Sequence, residues 1–159
     1  YFTAFRERVA MNSIQRVRKT DLARHTRRVI NAVLRGQTAV VESHGQPEVA
    51  IMDIIDYRIM RAVMRYHARP PEIDLEAGLS DQEVAALSDP QDRFDLVLAY
   101  YLAGAISLGR AAELLGLPWL DLRTRCLRLD VPLRTAPANL TEAGQDVEVA
   151  GAWVQTSQL

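Results

Sequence analysis

The chain has 159 residues, 48% of them hydrophobic, and a formal net charge of −1 at pH 7. That length suits one ordinary domain or two small ones, and so large an apolar share excludes a globally disordered chain. No run of about 18 apolar residues occurs, so no membrane-spanning helix is expected. The opening residues lack the long apolar core of a signal peptide. Cys126 is the single cysteine, which excludes an intrachain disulfide and fits a reducing cytoplasm, the expected location. Its setting, Leu-Arg-Thr-Arg-Cys-Leu-Arg-Leu, reads as a small core residue rather than a nucleophile.

The near-zero net charge conceals an asymmetry. Residues 1–69 carry 13 Lys+Arg against 6 Asp+Glu, a balance of +7; residues 70–159 carry 6 against 14, a balance of −8. A basic half suits a polyanion, bound largely through phosphates and sensitive to salt. An acidic half suits a basic protein partner. Two merely solvated surfaces would have the same composition.

Residues 1–10 precede Met11, and the spacing of Phe2, Phe5 and Val9 there predicts a short apolar face. Residues 13–19 alternate Ile14 and Val17 with polar side chains, which predicts a short strand. Thr20 and Asp21 suit a helix start, one as a cap and the other as a charge against the helix dipole. Leu22, Val29 and Val33, widened by Ile30 and Leu34, give that helix an apolar stripe, and Gly36 sits where a terminating glycine belongs. Arg24, Arg28 and Arg35, flanked by Arg27, fall on the opposite side. Residues 38–43 are β-rich, His44-Gly45-Gln46-Pro47 reads as a turn, and 48–54 as a second strand. Residues 56–67 predict a helix with Ile59, Met60, Val63 and Met64 toward the core, the methionines as filler. Arg69-Pro70-Pro71 ends it, because proline cannot continue a helix.

Ser80-Asp81-Gln82-Glu83 has the pattern of a capping box and opens a short helix to about Leu87. Asp89-Pro90 opens the next, with proline at its first position. That helix runs to about Leu102, with Phe94, Val97, Leu98, Tyr101 and Leu102 inward. Ala103-Gly104-Ala105 breaks it, Ser107 caps residues 108–115, Gly116 stops them, and 118–129 form a last helix before Val131-Pro132-Leu133. Helix, glycine turn and helix over 107–129 have the form of a DNA-reading unit, with Arg123, Arg125 and Arg128 as its candidate contacts. The same arrangement also serves for packing or dimerisation, and the acidic surroundings favour that use over base reading. In the tail, 135–159, Val147, Val149 and Trp153 share one face of an extended strand. Such a face adds to a partner sheet, buries as an anchor, or packs on its own domain.

Residues 14 to about 67 resemble the N-terminal domain of prevent-host-death (Phd/YefM-type) antitoxins. The resemblance is carried by Thr20-Asp21, Val33-Leu34-Arg35-Gly36, Val40-Val41-Glu42-Ser43-His44-Gly45-Gln46-Pro47, Val49-Ala50-Ile51-Met52 and Asp56-Tyr57, with nine residues from Gly36 to Gly45. The family's arginine three residues after the helix-opening Ser/Thr is here Ala23, with Arg24 next to it, about 100° round the helix. Residues 92–133 are similar to a second, small family of helix-turn-helix-like antitoxins, through Ile106-Ser107-Leu108-Gly109-Arg110-Ala111-Ala112-Glu113-Leu114, Gly116 and Val131-Pro132-Leu133. Arg123 and Arg125 stand where that family is commonly apolar.

These resemblances imply an α+β chain: a Phd/YefM-like DNA-binding and dimerisation domain over 11–69, a short sheet with two helices; a linker over 70–79; an all-α helix-turn-helix-like domain over 80–134; and a tail over 135–159. They imply an antitoxin that represses its own operon as a homodimer or higher oligomer and neutralises a ribonuclease toxin, of PIN-domain type by the second family's habit. The basic residues expected at operator DNA are Arg16, Arg18, Lys19, Arg24, Arg27 and Arg28, since cations beside a helix N-terminus make a phosphate site. Toxin binding is expected through the tail, at Val147, Val149 and Trp153. The rival reading is a DNA-binding regulator without a toxin, its C-terminal domain used for oligomerisation. No enzyme is expected. His25, His44 and His67 lack metal-ligand spacing, and no phosphate-binding glycine loop, nucleophile elbow or Cys-x-x-Cys occurs. Neither a metal nor a cofactor is expected.

Overall fold

The computed structural model describes residues 14–134. The architecture is α+β, a three-stranded sheet with helices followed by a mostly helical region, and the chain divides into two compact units, 1–57 and 58–159.

In the first unit, β1 (Ile14–Arg18) leads directly into α1 (Lys19–Leu34), which is followed by β2 (Thr38–Ser43) and β3 (Gln46–Ile51). The sheet order is β1-β2-β3, with β1 parallel to β2 and β2 antiparallel to β3. Register pairs Val17 with Val41, and Ala39 with Ile51. The core holds Val17, Val29, Val33 and Ala39, with Leu22 and Ile51 packed against it. Alternation along the strands and the helical stripe thus meet on one face of the sheet. Gly36, at φ +96°, ends α1. Its N–H donates to the Val33 carbonyl (2.9 Å) and that of Gln37 to Ala32 (3.2 Å), the paired closure of a Schellman turn.

Three details differ from expectation. Thr20 is not the cap of α1: the helix begins at Lys19, with Arg18 at the cap position and no side-chain cap bond. The strand runs straight into the helix, leaving Thr20 inside the first turn. The helix also bends at His25 (φ −128°, ψ 33°), where the Thr26 hydroxyl donates to the Leu22 carbonyl at 2.7 Å. The hairpin turn is His44-Gly45 alone, with φ of 51° and 76°. Two left-handed residues match the twist of the flanking strands. Pro47 therefore lies in β3, at a register shift opposite Glu42, and an edge strand tolerates a proline there.

The helix α2 (Ile54–Ala68) starts two residues earlier than expected because Asp53 caps it, accepting from the N–H of Ile55 (2.8 Å) and Asp56 (3.4 Å). From Arg58 onward its residues belong to the second unit, whereas the prolines place the boundary at 69–71. The physical reason lies in contacts to α4 (Pro90–Ala103). Gln91 donates to the Arg58 carbonyl (3.2 Å), Arg65 pairs with Asp95 (2.7 Å), and the Arg58 guanidinium lies 5.9 Å from the Phe94 ring centre. The buried line of α2 runs through Ile59 and Ala62. Met60 and Met64, expected as core filler, are 36% and 64% exposed.

The rest of the second unit comprises α3 (Asp81–Ala85), α4, α5 (Leu108–Leu115) and α6 (Trp119–Arg128). The capping box at Ser80 and Glu83 forms, Asp89 accepts from the Gln91 N–H (2.9 Å) ahead of α4, and Ser107 accepts from Arg110 (3.1 Å) ahead of α5. Phe94, Val97, Leu98 and Tyr101 of α4 are buried, as are Leu108, Ala111, Ala112, Leu122 and Cys126. Leu102, expected inward, is half-buried. The Tyr101 hydroxyl donates to the Pro132 carbonyl (2.8 Å) and accepts from the Arg134 N–H (3.2 Å), fastening the segment after α6 to α4. Burial pushes its pKa up.

Two outcomes test these local devices. Gly45 has nothing within 4 Å of where a Cβ would stand, so substitution there costs backbone conformation rather than a clash. Gly45→Val lowers stability by about 1–2 kcal/mol and Gly45→Asn by clearly less in thermal melts; equal losses refute the left-handed turn. The Ser80 hydroxyl and then its N–H hold the Glu83 carboxyl below its ordinary pKa. A folded-state pKa that is lowered contributes stability above the ordinary glutamate range and loses it as pH falls through the folded value. The melting difference between wild type and Glu83→Ala is therefore largest at neutral pH and shrinks as pH falls below the ordinary glutamate range. A difference unchanged at pH 3 rules the charged cap out.

Candidate nucleic-acid interface

Burying Val29 and Val33 against the sheet dictates what α1 shows to solvent. Residues turn by about 100° each, so Arg24, Arg27, Arg28, Asn31 and Arg35 emerge on the opposite side. With His25 and Thr26 they line an open depression of about 460 Å³. Arg28, Asn31 and Arg35 follow one another at three- and four-residue steps, a stripe about 10 Å long. Arg18, at the start of α1, is exposed as well. None of Arg18, Arg24, Arg27, Arg28 and Arg35 has a carboxylate partner among the described residues.

The remaining two expected contacts are engaged. Arg16 pairs with Glu42 at 2.6 Å, across β1 and β2, and Lys19 pairs with Glu48 of β3. Both cations are more than half exposed in their side chains, and exposed pairs of this kind are worth about 0–1 kcal/mol. Their charge is locally compensated rather than locked away. The structure thus brings Arg24, Arg27 and Arg28 together with Arg35, which the sequence puts on the same side of the helix but not among the expected DNA contacts, and adds Asn31. Asn31 had a legible signal, seven residues after Arg24 on the same helical stripe.

The second set does not form one face. The Arg125 side chain is 13% exposed and its Nε donates to Asp121 at 3.0 Å. Arg123 lies over the Trp119 ring, 5.9 Å from its centre, and Arg128 is half-buried. Val147, Val149 and Trp153 lie outside the described residues. Among the described residues, no group of three or more His, Cys, Asp or Glu is placed to hold a metal ion, and no helix is long and apolar enough to cross a membrane.

What the α1 surface offers is cationic and planar. Guanidinium groups bind phosphate oxygens through paired N–H donors, and the depression is too open to enclose a small ligand. Comparison of the chain with protein-family models, with curated proteins and with solved structures finds no match.

Proposed function

We propose that this protein is the antitoxin of a type II toxin–antitoxin pair, binding operator DNA to repress its own operon and blocking a ribonuclease toxin by direct contact. The observation that carries the DNA half is the strip of arginines on α1 without carboxylate partners among the described residues. Sequence adds the +7 balance of residues 1–69 and the resemblance to prevent-host-death antitoxins across 14–67. The protein acts in the cytoplasm as a homodimer, which sets two such strips on a palindromic site. Arg24, Arg27, Arg28 and Arg35 meet phosphates, and Arg16 and Lys19 exchange their carboxylates for phosphate on binding. The toxin half rests on the acidic balance of 70–159 and on the second resemblance over 92–133. The protein is not an enzyme and uses no cofactor.

The test is a gel shift with duplex DNA from immediately upstream of its own reading frame. Arg24→Ala/Arg28→Ala weakens binding while the melting temperature holds. The slope of log affinity against log salt becomes shallower by about 3.6, roughly 0.9 for each of the four phosphate contacts the dimer loses. Glu42→Gln/Glu48→Gln, which releases two cations, strengthens binding at the same salt. Unchanged affinity in the arginine double variant shows the α1 strip to be no DNA surface.

The toxin half is tested by co-expression with the adjacent reading frame. A small basic protein that co-purifies in a fixed ratio and regains ribonuclease activity on separation is the expected result. DNA binding without any such partner leaves a plain repressor.

A further inference from the structure

The outward face of α6 is uncovered among the described residues. Leu122 and Cys126 are fully buried. At about 100° per residue, that turns Leu120, Thr124 and Leu127 outward, with Arg123 at their edge and Trp119, seven residues before Cys126, beside the buried line at the start of the helix. Trp119, Leu120 and Leu127 are 39%, 54% and 45% exposed. Thr124 donates its hydroxyl to the Leu120 carbonyl at 2.8 Å, so it offers chiefly its methyl group. Arg123 lies over the Trp119 ring and has no carboxylate partner among the described residues. Asp121 is turned to Arg125 on another side of the helix. The face is apolar, with one unpaired cation and no carboxylate. Reading base edges needs several donors and acceptors, and this face supplies few. It suits an apolar segment that carries acids.

We propose that a segment of this same chain, residues 146–153, docks on that face. Between 135 and 159 stand Glu142, Asp146 and Glu148 and no Lys, Arg or His. Asp146-Val147-Glu148-Val149 interleaves carboxylates with valines, and Trp153 follows. Both its charge and its apolar content complement α6. The place where the described chain ends favours the same pairing. The Val131 N–H donates to the Cys126 carbonyl (2.9 Å), and the Arg134 guanidinium donates to the carbonyls of Gly104 (3.2 Å) and Ile106. Residue 135 therefore follows a segment tied to the end of α6 through Val131 and to the connection between α4 and α5 through Arg134. The eleven residues 135–145 reach up to about 36 Å when extended, against about 15 Å for the length of α6. The inference does not rest on the DNA-binding reading, and it gives Val147, Val149 and Trp153 an intramolecular use in place of the toxin contact expected of them.

Photo-crosslinking of the full-length protein tests it. Leu127 is replaced by p-benzoylphenylalanine, the protein is irradiated, digested with trypsin and mapped by mass spectrometry. Residues 135–159 contain no tryptic site, so they are released whole after Arg134. The expected product joins the peptide containing position 127 to 135–159, at monomer mass and with a yield independent of protein concentration. Asp146→Lys/Glu148→Lys, whose two new tryptic sites divide 135–159 into fragments that are counted together, lowers the yield at least fivefold; Arg123→Glu does the same, and the three changes combined restore it. The same probe at the exposed Leu120 finds the same peptide, which guards against one badly tolerated substitution. A product at dimer mass that grows with concentration assigns the face to a second copy and overturns the proposal. So do crosslinks elsewhere in the chain, a yield indifferent to the charge changes, or no crosslink from either position.

Discussion

Two neighbouring strands that run parallel cannot be joined by a turn; the chain has to cross from the end of one to the start of the other. β1 and β2 are such a pair, and α1 is the crossover. Everything notable in the first unit follows from seating that helix on the sheet. Val29 and Val33 meet Val17 and Ala39 in the core, and the seating leaves the arginines of α1 nowhere to go but outward. Because β1 passes into α1 without an intervening loop, the capping role expected of Thr20 is lost. The basic strip is thus a by-product of the crossover geometry as much as of the arginine count.

The second unit relies on a different device. Its helices are short, and each of α3, α4 and α5 has a side-chain cap at its start. Isolated helices of such length are marginal, so caps and burial share the task. Arg110 shows how a charge is accommodated there. Burial lowers its pKa, but Glu113 and Asp81 more than compensate, and the net effect is upward. Its pair with Asp81 (3.1 Å) and its bond to the Leu79 carbonyl (3.2 Å) tie α5 to the start of α3. Removing either partner would leave a mostly buried cation less compensated.

The two units therefore put arginine to opposite uses. On α1 the guanidinium groups cluster without carboxylate partners among the described residues and form a basic surface. On α6 they are dispersed around the helix, one paired with Asp121, one laid over Trp119, and the exposed arc is left to apolar side chains. Each helix carries three arginines, clustered without carboxylate partners on α1 and dispersed on α6. The difference is made by which neighbouring acids the fold supplies.

Local signals were legible in the sequence. Gly36, Gly104 and Gly116 end helices, Ser80, Asp89 and Ser107 start them, and Gly45 turns the hairpin. Each of these depends on the conformation of a few consecutive residues. The order of strands and helices was legible from periodicity and from the two resemblances, and the burial of Cys126 from its setting in the chain. The exposure of Met60 and Met64, the allegiance of α2 from Arg58 onward to the second unit, and the pairing of Arg16 and Lys19 with Glu42 and Glu48 were decided only by the tertiary structure. An apolar stripe on a helix is wide enough to be seated at more than one rotation, and a cation is neutralised by residues 26 and 29 positions away as readily as by its neighbours. Those choices are made by partners distant in sequence, and no short stretch of the chain contains them.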